Sequence, residues 1–310
     1  MEAFITNELI KKILLKLKEI EDPAKQRKYL INVMGMSKFN NAKKCVDLGD
    51  VPVHCEVYEH SKEAPVIIFI PGIGTYSEMY CEFLCKFSEW GFNVISVDLR
   101  GHGYSGGERG LYTVEDVQED ISLVISHFSK VYNDKIGLFG CSIGSPLALA
   151  AAESDSRVKA LLCHTLFLTE HPPDLIHWIG WNSLGLTSAF IPFMKVDFRQ
   201  FIDIEKLVEN NAFAPFIKFD DLIVWQYPVK TLSSVYRRKC RVLNEKFAFN
   251  AAIIVGSRDE ILSLSYERSI VSEMQHPFDI LEIEGAGHML PFERVKDTII
   301  KASDWFNNNL

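Results

Sequence analysis

The chain has 310 residues, 47% hydrophobic and 24% charged, with a formal net charge of −8. That is an ordinary globular composition with ample material for a core, for one large α/β domain or two small ones. The acidic balance argues against nucleic acid as a partner, which needs a basic face. Seven cysteines, an odd number without C-x-x-C or zinc-ligand spacing, read as buried free thiols in a reducing compartment. No apolar run approaches a membrane span, and the N-terminus lacks a signal-peptide layout, so a cytoplasmic location is expected.

Phe4 to Ile20 places Ile5, Leu9, Ile10, Ile13, Leu14, Leu17 and Ile20 at helical spacing, with lysines between them, and Pro23 helps end it. Such a helix suits a weak contact with a membrane surface, but packing on the body or on a second subunit is the preferred reading. From Lys44 the period changes. Lys44–Gly49 and Pro52–Tyr58 read as adjacent strands, the second alternating inward and outward residues. Val66–Ile70 and Asn93–Asp98 are apolar runs fit for strands covered on both faces. Helices are expected over about 77–90 and 113–131. Between 164 and 249 the alternation stops in a stretch rich in tryptophan, phenylalanine and proline. It reads as an inserted helical cap with short helices, such as 202–211 and 231–243, and no clear strand. The alternation resumes at Ala251–Val255 and Phe278–Ile283, with helices over about 265–275 and 292–306. The predicted organisation is an N-terminal helical extension over 1–43, an α/β core over 44–163 and 250–310, and the cap over 164–249.

One stretch carries chemistry. Gly140-Cys141-Ser142-Ile143-Gly144 follows a short apolar strand and opens a small-residue helix, the context a G-x-S-x-G nucleophile elbow requires. The pattern alone is weak, because Gly103-Tyr104-Ser105-Gly106-Gly107 matches it too; no helix springs from that loop. A serine needs a base, and the base needs a carboxylate to hold its tautomer. Asp259 and His288 each follow a strand end, in the order serine, acid, histidine. Glu260 stands as the alternative acid beside Asp259. His164 and His171 border the cap, where contact with substrate is the less expected role, and Cys141 is expected to pack under the elbow. Gly101-His102-Gly103-Tyr104-Ser105-Gly106 matches G-x-G-x-x-G, but no helix opens within the loop and no acid ends the next strand, so a dinucleotide site is rejected. No motif calls for a metal or other cofactor.

With Pro71-Gly72-Ile73-Gly74, the run Asp98 to Gly110, the Ser142 elbow, Gly256-Ser257-Arg258-Asp259 and Gly285-Ala286-Gly287-His288, the chain resembles a serine α/β-hydrolase. Within that superfamily it is most similar to the monoacylglycerol lipase and lysophospholipase-like group. The resemblance covers about residues 44–163 and 250–309. It implies a mostly parallel sheet of about eight strands flanked by helices, with Ser142 as nucleophile, His288 as base and then acid, and Asp259 orienting it. It further implies backbone N–H groups of Ile73 and Ile143 as oxyanion donors. His102 then serves turn structure. Pro71-Gly72 replaces the family's common His-Gly, which leaves the backbone donors but removes the histidine's own contacts. The expected activity is cofactor-independent hydrolysis of a carboxylic ester with an apolar acyl part, a small-molecule substrate. The rivals are a thioesterase or acyl-carrier-protein ester hydrolase, for which the basic run Arg237, Arg238, Lys239, Arg241 would serve, and a non-catalytic ligand-binding protein on a hydrolase fold.

Overall fold

The computed structural model describes residues 7–200 and 217–310. Its centre is an eight-stranded sheet in the order β1-β2-β4-β3-β5-β6-β9-β10. Strands β1 (Lys44–Leu48) and β2 (Val53–Tyr58) form an antiparallel hairpin, and β2 runs antiparallel to β4 (Asn93–Val97). From there β3 (Val66–Ile70), β5 (Ile136–Cys141), β6 (Val158–His164), β9 (Asn250–Gly256) and β10 (Asp279–Ile283) continue in parallel.

The continuous apolar runs follow from cover on both faces. Along β3, Val66, Ile68 and Ile70 join one core cluster with Val117 and Ile121 of α5 (Val114–Val131) and Leu147 of α6 (Gly144–Ser154). Ile67 and Phe69 face the other way, into a cluster with Phe83 and Phe87 of α4 (Cys81–Ser88) and Phe306 of α11 (Val295–Asn309). Each such fully buried side chain contributes about 2–3 kcal/mol. Thr113 opens α5 with a capping box, accepting from Asp116 N–H while Asp116 accepts from Thr113 N–H. The expected helix over 77–90 is a 3₁₀ turn, Ser77–Tyr80, followed by α4. The helix expected over 265–275 is α9 (Leu264–Glu273), and the short α10 (Leu290–Glu293) precedes α11.

Strand β2 corrects one expectation. All six residues are buried, including those read as outward. His54 lies against the Tyr104 ring and beside Asp47, and Glu56 is paired with Lys43. The polar face of β2 exists, but the chain itself covers it.

The N-terminal segment begins with two long helices rather than one. Pro23, read as the end of the first, also begins the second, where its missing N–H costs nothing and Asp22 accepts from Ala24 N–H. Helix α1 (Asn7–Glu19) buries Ile13 and Leu17 against Leu30 of α2 (Pro23–Val33), with Phe219 packed on the same cluster. The short α3 (Ser37–Asn40) then leads into β1. Residues Phe4–Thr6 of the expected helix lie outside the described residues.

Between β6 and β9 the structure has α7 (Leu175–Phe190), α8 (Val229–Tyr236), and a two-stranded ribbon of β7 (Lys195–Asp197) and β8 (Gln226–Pro228). The absence of strands expected here is therefore wrong: three-residue strands are too short to set a period of two. The helix expected over 231–243 stops at Tyr236, and the one over 202–211 lies outside the described residues. Phe167 and Trp181 each stack on Tyr236 and tilt against each other, with centroids 5.2–5.4 Å apart, and form this region's own core.

Candidate active site

Ser142 stands at the turn between β5 and α6 with φ of +51°, a left-handed conformation rare for a non-glycine residue. The flanking glycines are required by space. A Cβ on Gly140 would lie 2.5 Å from Gly144 O and from Ser145 Cα, and one on Gly144 would lie 2.3 Å from Ile70 O. Both obstacles are backbone, so the turn cannot relax around a side chain.

The residues singled out in the sequence meet here. His288 Nε2 is 3.1 Å from Ser142 Oγ, and His288 Nδ1 is 2.7 Å from Asp259 Oδ2. Asp259 Oδ1 accepts from Ile261 N–H at 2.8 Å and Leu262 N–H at 2.9 Å. Burial acts to raise the Asp259 pKa, but the His288 hydrogen bond and charge outweigh it and hold the carboxyl below its usual value. An ionised Asp259 only accepts, so Nδ1 carries the proton and Nε2 is left to accept from the Ser142 hydroxyl. Glu260, the alternative acid, is exposed.

The loop after β3 brings Gly72, Ile73 and Gly74 to the cavity that Ser142 lines. It is pinned on either side of Ile73: Gly72 N–H donates to Tyr80 Oη at 3.1 Å, and Gly74 N–H to Tyr227 Oη at 2.7 Å. Ile73 N–H and Ile143 N–H have no acceptor among the described residues. Tyr80 and Tyr227 were not singled out from the sequence, and nothing local marks a tyrosine 153 residues from its partner.

His164 lies under His288, ring centroids 5.1 Å apart, with Nδ1 3.3 Å from Cys141 Sγ. Burial and then repulsion from His288 push its pKa down to about 3, so it stays neutral. Burial pushes the Cys141 thiol up to about 12, which removes it as a nucleophile. His164, Asp259 and His288 bring ligand-type atoms within 4.8 Å of one another, but Asp259 and both nitrogens of His288 are already engaged as described. His171 does not line the cavity. Ser105 in the second match donates to Asp98 O and accepts from His54 N–H, a structural position.

A cavity of about 160 Å³ opens on this constellation. Besides Ser142, His288 and Ile73, its wall includes Tyr80, Met79 and Phe292 from the core and Phe198, Ile223 and Trp225 from the inserted region. The lining is mostly carbon. None of Arg237, Arg238, Lys239 and Arg241 reaches it. Arg238 pairs with Glu153, and Arg241 with Glu245.

These features define a serine α/β-hydrolase. The sequence pattern of the Hydrolase_4 family, described as serine aminopeptidase, S33, matches residues 61–295, and the chain belongs to that family. A 115-residue stretch is 36% identical to an uncharacterized 31.7 kDa protein from the traX-finO intergenic region of Escherichia coli, covering 36% of this chain and 40% of that protein. Another, of 100 residues, is 35% identical to Escherichia coli YcjY, covering 31% of this chain and 33% of that one. The matches thus span about two fifths or less of these curated relatives. Among solved structures, a monoacylglycerol lipase from Paleococcus ferrophilus is similar with a TM-score of 0.68 at 20% identity, over 83% of this chain and 99% of that one. A soluble variant of monoglyceride lipase from Saccharomyces cerevisiae gives 0.68 at 14%, over 86% and 94%. A carboxyl esterase from Bacillus coagulans gives 0.67 at 15%, over 86% and 99%. At these identities the likeness is one of fold. No described helix is long and apolar enough to cross a membrane.

Proposed function

We propose that the protein hydrolyses carboxylic esters with an apolar acyl part through an acyl-enzyme. The observation that carries this reading is His288 bridging Ser142 and Asp259 at the wall of a carbon-lined cavity. Ser142 Oγ attacks the ester carbonyl as its proton passes to His288 Nε2. Asp259 stabilises the imidazolium that forms. The carbonyl oxygen becomes an oxyanion and takes hydrogen bonds from Ile73 and Ile143 N–H; a donor of this kind is worth about 3–4 kcal/mol in the transition state. When the intermediate collapses, the C–O bond breaks and the proton on His288 goes to the leaving alcohol. Water then attacks the acyl-enzyme, giving its proton to His288, and the acid leaves with Ser142 restored.

The family's description raises peptide chemistry, which would use a carboxylate to hold a substrate ammonium. Among the described residues, the cavity carboxylates are already matched. Glu78 faces Arg27, Lys43 and the Tyr104 hydroxyl, and Asp220 faces Arg27 and the Tyr76 hydroxyl. Among the described residues, a thioester with an anionic carrier finds no unpaired basic group at the wall, which favours the simple ester.

The test is labelling by a fluorophosphonate, followed by turnover of acyl esters, acyl thioesters and aminoacyl anilides. Wild type should label and turn over the esters fastest, and Ser142→Ala should do neither. Labelling that persists in Ser142→Ala would overturn the assignment, and a faster anilide reaction would move it to peptide chemistry.

A further inference from the structure

The family match begins at residue 61, so α1 and α2 lie outside it. Even so, Leu30 and Ile31 of α2, and Met36 just beyond it, line the same cavity as Ser142 and His288. We propose that this N-terminal segment is the wall that sets acyl-chain preference, with the chain of the bound substrate lying against Leu30, Ile31 and Met36. The inference rests on the ester-hydrolase reading and names what that site takes.

The three side chains are apolar and carry no hydrogen-bond donor, so this part of the wall suits a hydrocarbon chain rather than a polar head group. Met79, Phe292 and Ile223 continue the same apolar lining from other elements. The wall is also backed. Leu30 is held from behind by Ile13 and Leu17 of α1, with Phe219 on the same cluster, so displacing it would open a packed interface.

Arg27 is the one cation that α2 adds to the cavity wall, and it is already neutralised. Its Nη1 lies 2.6 Å from Asp221 and 3.8 Å from Asp220, and its Nε lies 3.8 Å from Glu78. The guanidinium also stands 5.7 Å from the centroid of the Tyr104 ring. One cation facing three carboxylates does not recruit a substrate anion. It fastens α2 to the core at Glu78 and Tyr104 and to the inserted region at Asp220 and Asp221. The segment is thereby fixed on both sides of the cavity, as a wall that selects by length must be.

The test uses the full chain and two alkyl fluorophosphonates, one with a methyl chain and one with a dodecyl chain. Inactivation rates are measured for wild type, Ile31→Trp and Ile31→Ala, with thermal melts of each. Wild type should react faster with the dodecyl reagent. In Ile31→Trp the dodecyl-to-methyl ratio should fall about tenfold or more, since shutting even two methylenes out of the cavity has that effect. Ile31→Ala should change the ratio through the longer end of a decyl-to-hexadecyl series, and it decides the matter if the tryptophan variant does not fold. An unchanged ratio in a folded tryptophan variant, or an unchanged series in Ile31→Ala, overturns the proposed wall while leaving the hydrolase reading intact. Wild type that reacts with neither reagent overturns the hydrolase reading and the wall with it.

Discussion

Tyr227→Phe tests whether the inserted region holds the oxyanion loop in place. The Tyr227 hydroxyl sits between Gly74 N–H at 2.7 Å and His102 Nε2 at 2.6 Å. Gly74 can only donate, so Tyr227 accepts there and donates to His102, whose Nδ1 in turn donates to Arg100 O at 3.0 Å. Burial pushes the His102 pKa down to about 4, which keeps Nε2 free to accept. Phenylalanine preserves the ring and its edge contact with Phe198, but leaves Gly74 N–H and His102 Nε2 buried without a partner. At about 1–3 kcal/mol for each stranded group, the loss in stability should be about 3 kcal/mol. In a protein of this size that is about 5 °C in Tm. Activity should fall for a different reason. Ile73 N–H is placed by its pinned neighbours, and complete loss of such a donor costs about 10²–10³ in kcat. Loosening it should lower kcat by about tenfold, with KM little changed. Steady-state kinetics on a p-nitrophenyl ester and a thermal melt measure both. Wild-type kcat with a lowered Tm would refute the link between Tyr227 and the oxyanion loop.

Two further outcomes concern stability. Lys43→Met leaves Glu56 and Glu78 buried without their ammonium partner, so it should cost about 3–5 kcal/mol in urea unfolding, with much of that recovered by adding Glu56→Gln; a loss under about 1 kcal/mol would contradict the pairing. His102, buried and neutral, has a folded pKa of about 4 against 6.5 unfolded, so the unfolded chain takes up a proton that the folded one refuses. Its contribution is full above pH 6.5 and should fall by about 3 kcal/mol on going to pH 4. The measurement is the difference between wild type and His102→Gln at pH 7.5, 5.5 and 4, which cancels carboxyls titrating in the same range. A difference that does not change with pH would sink the claim.

The core of the site was legible because its parts are tied to strand ends. Gly140 is demanded by the backbone of its own turn and Gly144 by Ile70 O of β3, and the pair brackets the serine closely enough to leave a local mark in the sequence. Asp259 and His288 follow β9 and β10, which lie side by side in parallel, so both arrive at one end of the sheet. The same topology separates the true elbow from the second match, where Ser105 is consumed by Asp98 O and His54 N–H. What stayed hidden was whatever acts across long sequence distances without a motif. Tyr227 reaches Gly74 and His102 from an inserted region with no regular period, and a tyrosine there reads as one aromatic among many.

The N-terminal segment shows the other limit of reading by pattern. Its periodicity gave an amphipathic helix, but a period names a face that must be covered and not what covers it. Burial of Ile13 and Leu17 behind Leu30 turns that face inward, and the face of β2 read as outward is covered in the same region by Lys43. Helix α1 packs on the chain's own body, as the sequence favoured, so the error lies at β2 alone. Charged residues in a sequence are read as facing water, whereas Arg27 and Lys43 each find carboxylates inside the fold: Asp220, Asp221 and Glu78 for the first, Glu56 and Glu78 for the second. Glu78 is common to both. The segment's two half-buried cations therefore converge on a carboxylate that itself lines the cavity, and fixing the helices and shaping the substrate wall become one electrostatic problem.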